Sequence, residues 1–241
     1  MNQSIILTLT IVRHGQTDYN KKKITQGQLD IPLDEIGIQQ AVSAGVKLKD
    51  ESFDCIYSSD LSRAITTASE ITKQNVASSK ERLGVQRDAL LRERALGVME
   101  NKPWEDFTKA ANEAGKFGQD ENTFVPLNGE HDDDVLKRAK QFLDKLRFDF
   151  RDVSDLVPSR NKSFKILIVS HGIWICQLIK LITSKYKCEG FPKDKLDYVL
   201  RTSDIPNTAI SQFRLKITDK GKVESVSCLL FCSYDHLLNK T

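Results

Sequence analysis

The apolar runs of this chain all fall short of the roughly 18 consecutive residues that span a bilayer, so no membrane segment is expected. Residues 5–12 are apolar, but no basic segment precedes them and no small-residue cleavage site follows. No secretory leader is expected there. Cysteine is sparse. Cys55, Cys176, Cys188, Cys228 and Cys232 are odd in number, scattered and never spaced CxxC, which argues against a disulfide framework and a zinc site. They read as small buried hydrophobes of a reducing compartment, and the cytoplasm follows by elimination. Charge of one sign is lacking too. The 36 Lys and Arg nearly balance 33 acids, leaving +3, too little to argue for nucleic acid. The one basic cluster, Lys21, Lys22 and Lys23, has no interleaved aromatic and reads as a solvated loop. No internal repeat is present.

What is there is an alternation of strand-like and helix-like patterns over 241 residues, long enough for a full core. Residues 5–12 and 164–169 are short, apolar and rich in β-branched side chains, the pattern of strands buried on both faces. Ile38, Ala41, Val42, Gly45 and Leu48 fall at helical spacing behind Asp34, a candidate cap. Leu61, Ala64, Ile65, Ala68 and Ile71 mark a second helix behind Asp60. A third, from residue 132, carries three acids in its first turn, favourable against the helix dipole. Its buried stripe is Val135, Ala139, Phe142, Leu143, Leu146 and Phe150. Residues 172–182 read as a fourth helix. Residues 83–91 read as an edge strand, and 209–217 and 223–231 as two late strands. The polar stretch 153–163 reads as a surface loop. The expected architecture is a single α/β domain over residues 1–241, three-layered, with a mainly parallel central sheet and helices on both faces. An irregular insertion at about 99–131 is expected over the site.

Two segments share a design. IVRHG (11–15) and IVSHG (168–172) each end a buried strand with a histidine and a glycine. In parallel sheets, ligands sit beyond the carboxyl ends of the strands. Two of the four histidines therefore occupy equivalent positions, His14 and His171. Arg13 beside one, and Arg63 one turn into a helix, are suited to hold an anion through planar guanidinium groups. Asn20 and the loop Thr25 to Gln28 add neutral donors. Together these residues describe a pocket for a phosphate group. His131 and His236 follow no buried strand and read as structural or exposed.

The motifs RHGQTDYN, QGQLDIPLDEIG, YSSDLSRAITTA, LLRERALGVME, NGE and VSHG, in that order, resemble the histidine phosphatase superfamily over almost the whole length. The resemblance implies that His14 is the nucleophile, forming a phosphohistidine. It also implies that Arg13, Arg63 and His171 complete the phosphate pocket with Asn20, Gln26, Gly27 and Gly172. Glu93 matches the acid that protonates the leaving oxygen and later activates water. No metal or other cofactor is implied, and a small phosphorylated metabolite is the implied partner.

Within the superfamily, KYKCEGFPKDKL, IPNTAISQF, YDHLLN, LLRER and PLNGE look like the TIGAR-type fructose-2,6-bisphosphatases. That likeness implies hydrolysis of the 2-phosphate of fructose 2,6-bisphosphate or of related sugar and glycerate bisphosphates. A mutase returning the phosphoryl group to its substrate, and a non-catalytic phospho-ligand-binding scaffold, are the alternatives. Asn128 and Asn101 stand where the family commonly has glycine. Asparagine tolerates positive φ better than most residues, so the turn at Asn101 is expected to survive.

Overall fold

One seven-stranded sheet organises the computed structural model, which describes residues 4–77, 84–115, 124–155, 161–186, 188–218 and 220–238. The first half of the chain gives β1 (Ser4–Arg13), α1 (Asp18–Lys21), α2 (Glu35–Lys47), β2 (Cys55–Ser58), α3 (Ser62–Gln74), β3 (Val85–Arg87) and α4 (Trp104–Glu113). The second half gives α5 (Asp132–Asp155), β4 (Asn161–Ser170), α6 (Gly172–Lys185), β5 (Cys188–Glu189), α7 (Lys193–Thr202), β6 (Ile210–Thr218) and β7 (Val223–Ser233). The spatial order is β3-β2-β4-β1-β6-β7-β5. Only β6 opposes its neighbours, β1 and β7, and every other pairing is parallel.

The central strands bury both faces, as their apolar runs require. In β4, Ile166 and Ile168 enter one core while Leu167 and Val169 enter the other. The first core is covered by α5, α6 and α7, where the Phe142 ring meets Tyr57 and Trp174 edge-on at 5.3 and 6.0 Å. Such pairs each add about 0.5–1.5 kcal/mol beyond their buried area. The second core lies under α2 and α3. Helices thus cover both faces, the expected three layers. No helix among the described residues is long and apolar enough to cross a membrane.

Several elements depart from the expectations. The buried face of α2 is Gly37, Ala41, Ala44 and Gly45, leaving Ile38 41% exposed. The cause is a close backbone approach: a Cβ on Gly37 would lie 2.0 Å from the Gln16 carbonyl oxygen. That contact, rather than the apolar stripe, sets the helix rotation. Asp34 caps α2 as expected, accepting from Gly37 N at 2.7 Å. The cap position of α3 is Leu61, because Asp60 pairs with Arg92 at 2.7 Å. The edge strand is shorter than 83–91. Asp88 accepts from Leu90 N and turns the chain into a 3-10 helix, Ala89–Leu91. The loop expected at 153–163 is narrowed from both ends, since α5 reaches Asp155 and β4 begins at Asn161. Residues 156–160, and 116–123 of the insertion, lie outside the described residues.

The register of the sheet locates the site. β1 and β4 are parallel neighbours with Arg13 opposite Ser170, so residues 14 and 171 leave the sheet side by side. α2 then packs on one face and α6 on the other. That divergence opens a crevice at the carboxyl ends of these two strands.

Candidate active site

His14 and His171 lie with ring centroids 5.1 Å apart, and His14 N donates to the Ser170 carbonyl at 2.9 Å. Both side chains are buried. Their surroundings fix opposite tautomers. His14 Nδ1 lies 2.7 Å from the Gly15 carbonyl oxygen, which only accepts. Nδ1 therefore carries the hydrogen, and Nε2 keeps its lone pair. His171 Nδ1 lies 3.3 Å from Arg63 Nε, which only donates. Nδ1 is then the acceptor and Nε2 carries the N–H, a buried donor with no hydrogen-bond partner among the described residues. Burial first, and the charge of Arg63 next, push both imidazoles well below the usual histidine range. Both are neutral at physiological pH.

The cations come from β1 and α3. Arg63, the second residue of α3, is 1% exposed. Besides His171 it donates to the carbonyls of Leu29 (2.7 Å) and Gly27 (2.8 Å), which leaves one N–H on each terminal nitrogen. Burial pulls its guanidinium down to about 10, still cationic at neutral pH. Arg13 donates to the Ile205 carbonyl, and its Nε is buried without a hydrogen-bond partner among the described residues. Burial lowers Arg13 as well, against the opposing pull of Glu93 and Asp204. Unsatisfied buried donors are costly unless an anion meets them.

Glu93 reaches the same crevice. Its Oε2 accepts from Ile173 N at 3.2 Å, and its Oε1 accepts from Trp174 N at 3.3 Å and Arg94 N at 2.9 Å. The cap residue of α6, His171, makes no side-chain cap bond, so Glu93 receives these first-turn amides instead. Arg138 on α5 clamps the segment presenting Glu93. It donates to the carbonyls of Leu90, Arg92 and Glu93 and pairs in a fork with Glu130. Glu130 in turn accepts from Ala95 N at 2.9 Å. The NGE motif by itself assigns Glu130 no role, and Arg138 carries no local signal in the sequence. Glu130 meets Ala95 across 35 residues of sequence, and Arg138 meets Leu90 across 48.

Arg13, His14, Asn20, Gln26, Gly27, Arg63, Glu93 and Gly172 all line one cavity of about 890 Å³, with His171 packed beneath His14. His171 is not part of that lining and is fully buried behind it. The amide oxygens of Asn20 and Gln26 both lie about 3 Å from the Thr17 hydroxyl. Gly27 adopts φ +53, and a Cβ there would lie 2.0 Å from Glu100 Oε1. Asn101 and Asn128 both adopt φ 63, so the turns expected to need glycine form with asparagine. The first part of the insertion reaches the cavity. Trp104 and Phe107 stack at 4.9 Å and both line the cavity, and Trp104 N donates to the Lys23 carbonyl. Lys23, read from sequence as solvated loop, lines this cavity, whereas Lys21 and Lys22 do not. His131 is exposed near Asp133. His236 bonds the Thr208 hydroxyl at 3.1 Å, outside the cavity. Among the described residues no group of three or more His, Cys, Asp or Glu could hold a metal ion.

Residues 9–214 match the family model of the histidine phosphatase superfamily, branch 1. Fructose-2,6-bisphosphatase TIGAR B of Danio rerio is 36% identical over 229 residues, covering 87% of this chain and 86% of that protein. Fructose-2,6-bisphosphatase TIGAR of Bos taurus is 32% identical, covering 97% and 98%. The crystal structure of a phosphoglycerate mutase from Bacillus anthracis superposes with a TM-score of 0.74, at 24% identity and over 98% and 97% of the two chains. That last likeness concerns the fold.

Proposed function

Since this chain belongs to the histidine phosphatase superfamily and is a phosphoric monoester hydrolase, we propose that it hydrolyses small bisphosphorylated metabolites through a phosphohistidine on His14. Fructose 2,6-bisphosphate, cleaved at its 2-phosphate, is the substrate of this reading, supported by what the TIGAR relatives are named for.

The observation that carries the proposal is the pair of imidazoles, 5.1 Å apart and hydrogen-bonded as opposite tautomers, beside buried Arg63 and half-buried Arg13, whose Nε is buried. His14 Nε2 offers the lone pair that attacks phosphorus, while Nδ1–H stays on the Gly15 carbonyl and takes up the developing charge. The P–N bond forms as the P–O bond to the substrate breaks, and Glu93 delivers a proton to the leaving oxygen. Water then attacks phosphorus with Glu93 as base, the P–N bond breaks, and inorganic phosphate leaves. Across both steps, His171 Nε2–H, Arg13 Nε–H and the remaining N–H groups of Arg63 bind the equatorial oxygens. Such positioned donors supply most of the catalysis in phosphoryl transfer. Burial does two things here. It keeps His14 neutral and so nucleophilic, and it strengthens each charged contact to phosphate.

The test is turnover of a panel of phosphometabolites, fructose 2,6-bisphosphate and bisphosphoglycerate among them, by the parent chain and by His14→Ala. The proposal expects release of inorganic phosphate by the parent and almost none by the variant. Equal release by both would overturn it.

A further inference from the structure

Of the four histidines, His14 lines the cavity, His171 lies behind it and His131 is exposed, whereas His236 is half-buried outside it. His236 belongs to a 3-10 turn near the C-terminus, Asp235–Leu237, which packs against α2. Its Nε2 lies 3.1 Å from the Thr208 hydroxyl, and its Nδ1 is buried with no hydrogen-bond partner among the described residues. Burial first, and Lys47 at the end of α2 next, push this imidazole below the usual histidine range, against the opposing pull of Asp235. A neutral ring is thus aimed at one buried hydroxyl.

Thr208 is fully buried and holds φ 55, a left-handed conformation that is a genuine outlier for a β-branched residue. Its segment, just ahead of β6, wraps the tip of β1. Thr208 N donates to the carbonyls of Arg13 (3.1 Å) and His14 (3.3 Å), and Asn207 Nδ2 donates to the His14 carbonyl at 3.0 Å. The Ala209 carbonyl accepts from Arg13 N at 3.2 Å, and the Ile205 carbonyl accepts from the Arg13 guanidinium. The peptide joining His14 to Gly15 is therefore held at both ends, its oxygen by Asn207 and Thr208 and its N–H by the Thr67 hydroxyl at 3.0 Å. Turning that peptide would carry the Gly15 carbonyl away from His14 Nδ1 and release the ring. A strained residue persists where its neighbours over-determine it, and such residues collect at active sites. The neighbour that holds the Thr208 side chain is His236.

We propose that His236 is a positioning residue for His14. Through the Thr208 hydroxyl it holds residues 205–209 against the main chain of residues 13 and 14, and so fixes the aim of the attacking imidazole and of Arg13. The inference rests on the reading of His14 as the attacking group and adds to it a residue that touches neither substrate nor cavity. Attack on phosphorus needs the lone pair in line with the breaking bond, and a misplacement of about 1 Å can cost about 10²-fold in rate. Asn207 and Thr67 still hold the peptide when His236 is lost, so a smaller penalty is expected.

The test labels the four histidines with nitrogen-15 and records their ring signals by NMR, alongside steady-state phosphate release from fructose 2,6-bisphosphate. His14→Ala assigns the His14 signals. His236→Leu and Thr208→Val, which keep bulk and lose the bond, are expected to displace those signals and to lower kcat about tenfold, with KM within about twofold. His236→Gln and Thr208→Ser, which keep a bonding group, should retain most of both. The proposal is overturned if the His14 signals stay in place in His236→Leu, or if His236→Gln loses as much as His236→Leu. It is overturned equally if the urea midpoint drops while kcat per folded molecule holds, the mark of a merely structural role. Failure of the phosphatase reading shows separately, as absent turnover by the parent or undiminished turnover by His14→Ala, and the His14 signals then still decide whether His236 holds that ring.

Discussion

The two histidine turns look almost interchangeable as sequence, IVRHG against IVSHG, and the structure makes them opposites. After β1 the chain continues into a loop pressed against α2, with Gly15 N bonded to the Thr67 hydroxyl at 3.0 Å. After β4 it enters α6 at once, with His171 as the cap residue. In the first turn the imidazole bonds its own backbone through Nδ1 and presents a lone pair. In the second, Arg63 donates to Nδ1, and the ring presents an N–H. A strand tip therefore places an imidazole, but the partner of its inner nitrogen decides whether it attacks or donates.

The largest expected contrast is catalytic. Removing the attacking group by His14→Ala should lower kcat on the order of 10⁴-fold or more, as loss of a nucleophile does elsewhere. His171→Ala removes one donor to the equatorial oxygens and should cost about 10²–10³-fold. Steady-state phosphate release measures both, and equal losses would dissolve the distinction between attacker and donor.

The glycines come next. A Cβ on Gly15 would lie 2.4 Å from the Gly37 carbonyl oxygen, which is backbone and cannot swing aside. Gly15→Ala should destabilise the fold by about 1–3 kcal/mol. A Cβ on Gly172 meets nothing closer than Arg13 Nε at 3.7 Å. As the first residue of α6, it should tolerate alanine within about 1 kcal/mol, stabilising if anything. Urea unfolding of the two variants ranks them, and a larger loss at residue 172 would reverse the assignment of tight and loose turns.

The smallest effect is one the two turns share. Both imidazoles are held neutral by burial and then by Arg63, while in the unfolded chain each takes up a proton below about pH 6.5. The unfolded state then binds more protons, so stability falls as pH drops below about 6.5, by up to about 1.4 kcal/mol per pH unit per imidazole. Above that range these groups contribute no slope. His14→Asn and His171→Asn should each flatten the acid limb of a urea-unfolding series by about one proton. A steeper limb in either variant would contradict neutral burial.

Much of this arrangement is legible in the sequence, for identifiable reasons. β1 and β4 could be read because strands buried on both faces need unbroken apolar runs, and their histidine tips because a polar residue ending such a run has few other uses. The stripe of α5, from Val135 to Phe150, follows from helical period alone and is buried as expected. The rotation of α2 was not legible. A backbone approach between Gly37 and Gln16 sets it, and such contacts leave no trace in hydropathy. Helix α7 was missed because it is mostly polar and buries only Val199. Arg138 and Glu130 were missed for another reason. Their work is done on carbonyls and amides of the Glu93 segment, which any sequence supplies alike.

Rapid quenching of the enzyme during turnover of phosphate-labelled substrate, followed by peptide mapping, tests the role of His14 most directly. The expected result is an acid-labile, base-stable phosphoryl group on the peptide bearing His14, absent from His14→Ala and still formed when Glu93→Gln slows its hydrolysis. Label recovered on the peptide bearing His171, or steady turnover with no label on protein at any time, would contradict the account.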